Sequence, residues 1–319
     1  MECVTGAEYA GPCLEGQILI VDMCGSPQDV IYRRQDRRMR KAFSNRISAA
    51  ALLVVLFLCW IAPVHGATFR DALGRDVHLD GSPQKIVSLA PSLTEILYSL
   101  GLGDKVVGVT QFSTYPPEAA KKPKVGTYNN LNVERIISLG PDLVIGTIDG
   151  NEQGTVQGLE EAGIRVFLVD PRNVQQIIES VAVLGRLCGA AEKGEILFER
   201  LQDRVDRVRE KTASKRRPLV FLQINLRPIM TVSRTTYHHN LIQLAGGINM
   251  TRDEPMHYPR IGIEEVLRRK PEVILISSME RGGRFEKARR EWMEWPSIPA
   301  VSNNRVYLLD SDLIDRPSP

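Results

Sequence analysis

Two stretches of this chain repeat one another. VERIISLGPDLVIG, Val133 to Gly146, returns about 130 residues later as IEEVLRRKPEVILI, Ile263 to Ile276. Each copy opens with a glutamate, runs through apolar residues at helical spacing, and breaks before a proline that is followed by a short apolar run. The pattern predicts a helix, a tight loop and a buried strand in both places. A chain that spells this unit twice is constrained to two copies of one α/β element, and the segments between them must connect the copies.

The connecting segments obey the same alternation. KIVSLAPSLTEILYSLG predicts an apolar strand feeding a helix, opened by the capping-box pattern from Ser92 to Glu95. VVGVT predicts a second strand, and VQGLEEAGIRVFLVD another helix with its strand. Strands alternating with helices imply a parallel sheet. After Asp170 the pattern changes to two helices with no strand between them, Val174 to Leu187 and Ala190 to Thr212. In the second, Leu197, Leu201, Val205 and Val208 form one apolar stripe among charged residues, as in a one-sided amphipathic helix. PLVFLQI then starts a second strand–helix series, which contains the second copy. The expected organisation is an α/β lobe at 67–189, a connecting helix at 190–217 and a second α/β lobe at 218–319. A cleft is expected where strand ends of the two sheets face each other, the place where open α/β folds bind ligands.

Composition limits the partners. With 41 basic against 38 acidic residues, and 43% apolar content, the chain lacks the charge bias of a nucleic-acid or membrane-surface binder. Small-molecule or protein partners are favoured. The amino-terminal part differs from the rest: Arg40, Lys41 and Arg46 precede an uncharged run from Ile47 to Val64. Charge, apolar run and small residues in that order predict a secretory signal peptide at 39–66, cleaved after Gly66. Its most apolar part, Ala49 to Ala62, reaches roughly 21 Å as a helix against roughly 30 Å of bilayer core, which disfavours a spanning anchor. Leu58 before Cys59 argues against lipidation. Residues 1–38 read as a non-native or disordered extension. Cleavage removes Cys3, Cys13, Cys24 and Cys59 and leaves Cys188 alone, so no internal disulfide is expected.

Enzyme chemistry has no carrier here. His238 and His239 in TYHHN and His257 in MHYP lack an accompanying HExxH, CxxC or acidic cluster, so they are expected to be surface or helix-capping residues. Phosphate loops and the GxSxG elbow are absent. Gly246 and Gly247 read as a helix stop. The sequence therefore predicts neither catalysis nor a cofactor.

KIVSLAPSLTEILYSLG, YPPEA, NVERIISLGPDLVIG and the terminal DRPSP resemble the periplasmic cobalamin-binding proteins of ABC importers, within the wider siderophore and haem binding-protein family. The similarity runs from about Lys85 to Pro319. It implies two Rossmann-like lobes joined by a long helix, a corrinoid ligand held between them, an inner-membrane permease as partner, and a monomer in the periplasm. It places Glu134 and Glu264 at the two lobe tips, where family members dock onto permease arginines; for each glutamate alone, a helix-dipole role is the plainer alternative. It places Phe112, Tyr115, Tyr128 and Tyr258 in ligand-facing loops, where ordinary loop packing is the alternative, and Asp312 and Arg316 at the polar end of the pocket. Asp315 could instead pair with Arg316. Tyrosines at 128 and 258 replace tryptophans of the cobalamin relatives, and Thr147 and Ile224 replace other aromatics. A ferric siderophore or haem is therefore the alternative ligand, and a metal-cluster enzyme domain or a sensor module is the alternative from other classes. Relatives continue past DRPSP with a terminal helix, so truncation at Pro319 is an expectation too.

Overall fold

The computed structural model describes residues 66–277 and 284–319. The extension at 1–38, the signal peptide at 39–66 but for Gly66, and the four cysteines within them lie outside the described residues.

A hairpin, β1 (Ala67–Arg70) with β2 (Asp76–Leu79), precedes the first lobe. The lobe then runs β3 (Ile86–Ser88), α1 (Pro91–Ser99), β4 (Val106–Val109), α2 (Pro117–Ala120), the short hairpin β5 (Gly126–Thr127) and β6 (Asn130–Leu131), α3 (Val133–Ser138), β7 (Leu143–Thr147), α4 (Gln153–Glu161), β8 (Val166–Val169) and α5 (Val174–Leu187). The long helix α6 (Ala191–Thr212) follows. The second lobe comprises β9 (Leu219–Gln223), α7 (Tyr237–Leu244), β10 (Ile248–Asn249), α8 (Ile263–Arg269), β11 (Val273–Ile276), α9 (Arg284–Met293), α10 (Pro299–Ser302), β12 (Val306–Leu308) and α11 (Ser311–Ile314).

The two sheets have one topology. The first is ordered β4-β3-β7-β8 and the second β10-β9-β11-β12, all parallel. In both, the first strand of the lobe lies inside, flanked by the second and third. The repeated unit is α3 with β7 in one lobe and α8 with β11 in the other, so each copy supplies the third strand of its sheet.

Period-2 alternation explains how each sheet is covered on both faces. Ile86, Leu143, Ile145 and Phe167 enter one core with α1, α5 and α6, while Val87, Val144 and Leu168 enter another with Ile136 of α3 and Leu159 of α4. In the second sheet Phe221, Ile274 and Ile276 pack with Val266, Trp292 and Val301, and Val220, Leu222 and Leu275 pack with Ile242. The helix α6 lays Leu197, Leu201 and Val205 on the first core, and at its other end Thr212 Oγ1 donates to the Leu244 carbonyl of α7 at 3.0 Å. Its start crosses α5 closely: a Cβ on Gly185 would lie 2.9 Å from the Gly194 Cα. Cys188 is fully buried, and burial pushes its thiol up to about 12.

The copies differ at one backbone position. Both helices stop one residue before proline with a left-handed residue, which is Gly140 at φ +56° in the first and Lys270 at φ +50° in the second. A side chain in that region costs about 1–2 kcal/mol. Lys270→Gly is expected to stabilise the protein by about 1 kcal/mol in urea unfolding; a destabilised variant would mean the lysine stem contributes packing that outweighs the strain.

One local expectation needs correction. No capping box forms at Ser92, because Pro91 occupies the first helical turn with Ala90 as the cap and Ser92 is buried inside the helix. The glycine stop holds: Gly246, at φ +81°, follows α7, and Gly247 N–H donates to the Ile242 carbonyl at 2.8 Å.

Candidate functional site

The carboxyl ends of both sheets present the loops in question. Under the first, the hydroxyls of Ser88, Thr94, Thr110 and Ser113 are buried and bonded to one another, which anchors from below the loop that carries Phe112 and Tyr115. Asn151 closes the next strand end. Its Oδ1 accepts from Thr147 N–H at 2.7 Å and its Nδ2 donates to the Tyr128 carbonyl at 3.2 Å. Tyr128 lies over Gly150 so closely that a Cβ there would meet the ring at 1.7 Å, and its hydroxyl bonds Thr147 Oγ1 at 3.0 Å. Thr147 is thus the partner that orients Tyr128.

Beside it sits a charged cluster. Arg172 forks onto Asp149 at 2.6 and 2.7 Å and reaches Asp170 at 2.9 Å. The excess carboxylate faces Tyr258, which comes from the second lobe. Burial pushes the Tyr258 phenol up, and the Asp149 charge and its hydrogen bond add to that. Burial raises Tyr128 as well, and Tyr237 well above its ordinary value with Asp315 as the next cause. All three phenols are therefore O–H donors at neutral pH.

Tyr237 and His238 open α7, capped by Thr236, whose hydroxyl accepts from His239 N–H. The rings of Tyr237 and His238 stack with centroids 4.0 Å apart, and Tyr258 meets His238 edge-on. His238 is 4% exposed, which corrects the expectation of a surface or capping residue: α7 packs against the chain's final segment and carries the histidine inside. Its Nε2 lies 3.2 Å from Asp315 Oδ1, and Asp315 Oδ2 accepts from Ser277 Oγ at 2.8 Å. A carboxylate can accept but not donate, so Nε2 carries the proton; Nδ1 is buried without a hydrogen-bond partner.

Arg316 does not pair with the adjacent Asp315. It donates to Glu95 Oε1 at 2.8 Å, to Asp312 Oδ1 at 2.8 Å and to the Phe112 carbonyl at 3.4 Å. Phe112 and Tyr115 are 52% and 63% exposed, and Leu313 beside Asp312 is 83% exposed, an apolar rim around an ion pair. Thus the structure brings Tyr128 near Tyr258, and Phe112 near Asp312 and Arg316, while Tyr115 stands free on the rim. Sequence reasoning missed Glu95, Asp149, Asn151, Arg172 and Tyr237. The signal available was position: Asp149, Asn151 and Arg172 directly follow the strands at Thr147 and Val169. Among the described residues no cluster of three or more His, Cys, Asp or Glu side chains could hold a metal, and no helix is long and apolar enough to cross a membrane.

Two lobes of one topology with tyrosines converging from both are the geometry of a ligand trap, and the family model for periplasmic binding proteins matches residues 86–313. The chain belongs to this family. A vitamin B12-binding protein of Vibrio campbellii is 34% identical over 264 residues, covering 82% of this chain and 91% of that protein. The crystal structure of the periplasmic vitamin B12 binding protein of Vibrio cholerae is 31% identical, with TM-score 0.67 over 74% of this chain and 91% of that one. A periplasmic haem-binding protein from Roseiflexus sp. RS-1 is similar too, at 27% identity, TM-score 0.65, and 73% and 91% coverage.

As a member of the periplasmic binding proteins the chain has a second surface of interest. Glu134 and Glu264 sit in the first turns of α3 and α8, the repeated helices, and both are exposed with no ion pair among the described residues. Glu265, the next residue, is committed elsewhere: hydrogen bonds from Arg268 and Arg269 hold its carboxyl down to about 2.

Proposed function

We propose that this periplasmic binding protein captures a corrinoid, of the cobalamin class, between its lobes and delivers it to an ABC importer permease through Glu134 and Glu264. The observation that carries the reading is the 34% identity to a vitamin B12-binding protein across 82% of the chain. The site chemistry agrees with it. Tyr128 and Tyr258 offer flat apolar faces to a macrocycle and neutral O–H donors to peripheral amides. Asp312 and Arg316 form the polar end of the cleft, Phe112 and Tyr115 its outer rim. Binding at the ligand's periphery asks for no metal-coordinating side chain, and the protein performs no chemistry on its cargo.

Export by the signal at 39–66 belongs to the same reading, as does a monomeric working form. One preparation tests all of it. Protein recovered from the periplasm is expected to begin near Ala67 by amino-terminal sequencing, to elute as a monomer, and to bind cyanocobalamin at one site per chain in titration calorimetry. Heat from haem or a ferric siderophore, with none from cyanocobalamin, would replace the ligand class and leave the fold and family unchanged. A start at Met1, or a lipid on Cys59, would overturn the export reading.

A further inference from the structure

Asp315 and Arg316 are neighbours in sequence and are held by opposite lobes. The Asp315 carboxylate belongs to the second, through His238 of α7 and Ser277 at the end of β11. The Arg316 guanidinium belongs to the first, through Glu95 of α1 and the carbonyl of Phe112 after β4. Ser318 Oγ adds a bond to the second oxygen of Glu95 at 2.5 Å. The side chains of Arg316 and Glu95 are 10% and 11% exposed, so this is a pair largely withdrawn from water. In such a setting a charge-assisted bond is strong, and separating the partners leaves each charge to be resolvated or repaired.

The location gives the pair a consequence. The covalent link between the lobes runs through α6. Residues 315–318 form a separate, non-covalent link between loops at the carboxyl ends of both sheets, beside the exposed Phe112, Tyr115 and Leu313. Arg316 is also the cation assigned above to the ligand, yet its donors are already divided between Glu95, Asp312 and Phe112.

We propose that this segment is a strap across the mouth of the cleft, that Glu95 is the positioning residue which fastens it, and that the Glu95–Arg316 pair must part before a corrinoid enters. The ligand half of the proposal rests on the proposed function; the strap itself does not. The binding-competent fraction limits both the apparent association rate and the apparent affinity. If the strap is closed in roughly nine of ten ligand-free molecules, releasing it quickens association about tenfold and leaves dissociation unchanged.

The test compares wild type with Glu95→Gln, which keeps the size of the side chain and removes its charge. Hydrogen exchange on ligand-free protein reads the amides from Asp312 to Ser318, and stopped-flow absorbance with cyanocobalamin reads association and dissociation separately. Faster exchange in that segment, with association about tenfold faster and dissociation unaltered, is the expected result. Ser318→Ala, which deletes one bond to the same carboxylate, is expected to shift both readouts the same way by less, and it serves if Glu95→Gln does not fold. Unchanged exchange overturns the strap. Looser exchange with an unchanged or slower association overturns its role as a gate. Wild-type protein that ignores cyanocobalamin defeats the corrinoid reading instead, and the exchange measurement then decides the strap by itself.

Discussion

Glu134→Ala combined with Glu264→Ala is expected to abolish uptake in a reconstituted transporter while ligand binding stays at the wild-type level. Both carboxylates are exposed, stand in the first turns of the repeated helices, and are free of ion pairs among the described residues. Glu265 shows what a structural glutamate looks like in the same turn: it is bound to Arg268 and Arg269 within its own helix. Neither Glu134 nor Glu264 contributes to a core, since Ile136 and Val266 are the buried residues of those helices. The cleft should therefore survive the change. Removing one partner of a hydrogen-bonded charge pair at a desolvated interface costs roughly 2–5 kcal/mol, so two such losses exceed what a transient docking event tolerates. Each single variant should transport at a reduced rate. Wild-type uptake by the double variant would leave both residues as helix-dipole partners, worth about 0.3–1 kcal/mol each.

Trp292→Ala carries the largest expected effect on stability. The indole is 3% exposed, meets the fully buried Phe221 edge-on with centroids 5.8 Å apart, and donates Nε1–H to Gln223 Oε1 at 2.7 Å. Truncation removes the ring from the second lobe's core at a cost of about 3–5 kcal/mol. It also strands the side-chain oxygen of Gln223, a residue 2% exposed, which adds about 1–3 kcal/mol. The sum is comparable with the whole stability of many domains, about 5–15 kcal/mol. Urea unfolding should show the loss, and hydrogen exchange should confine it to strands β9, β11 and β12, with β3 and β7 still protected. Trp292→Phe keeps most of the apolar contact and should cost about 1–3 kcal/mol, mainly for the unpaired glutamine. An alanine variant within about 1 kcal/mol of wild type would mean that the second core refills the space, contrary to the packing described.

The repeat by itself decides the architecture. Strand alternation with period 2 and helix spacing of 3.6 are local properties, and a unit spelled twice places two equivalent strands in two equivalent sheets. Gly246 as a helix stop and the long one-sided helix could be read the same way, because each depends on nearby residues along the chain. The polar pairings could not. Asp315 stands beside Arg316 and Ser92 lies one helical turn before Glu95, and both adjacencies misled. Neighbouring side chains in a turn point apart, and a proline at the first helical position moves the cap. Glu95 instead meets Arg316 across 221 positions, and His238 meets Asp315 across 77. Several carboxylates compete for each cation at energies within a few kcal/mol of one another, so which pair forms depends on where the two lobes put their loops. Hydrophobic periodicity therefore determined the two lobes from sequence alone, and tertiary placement decided which charges pair across them.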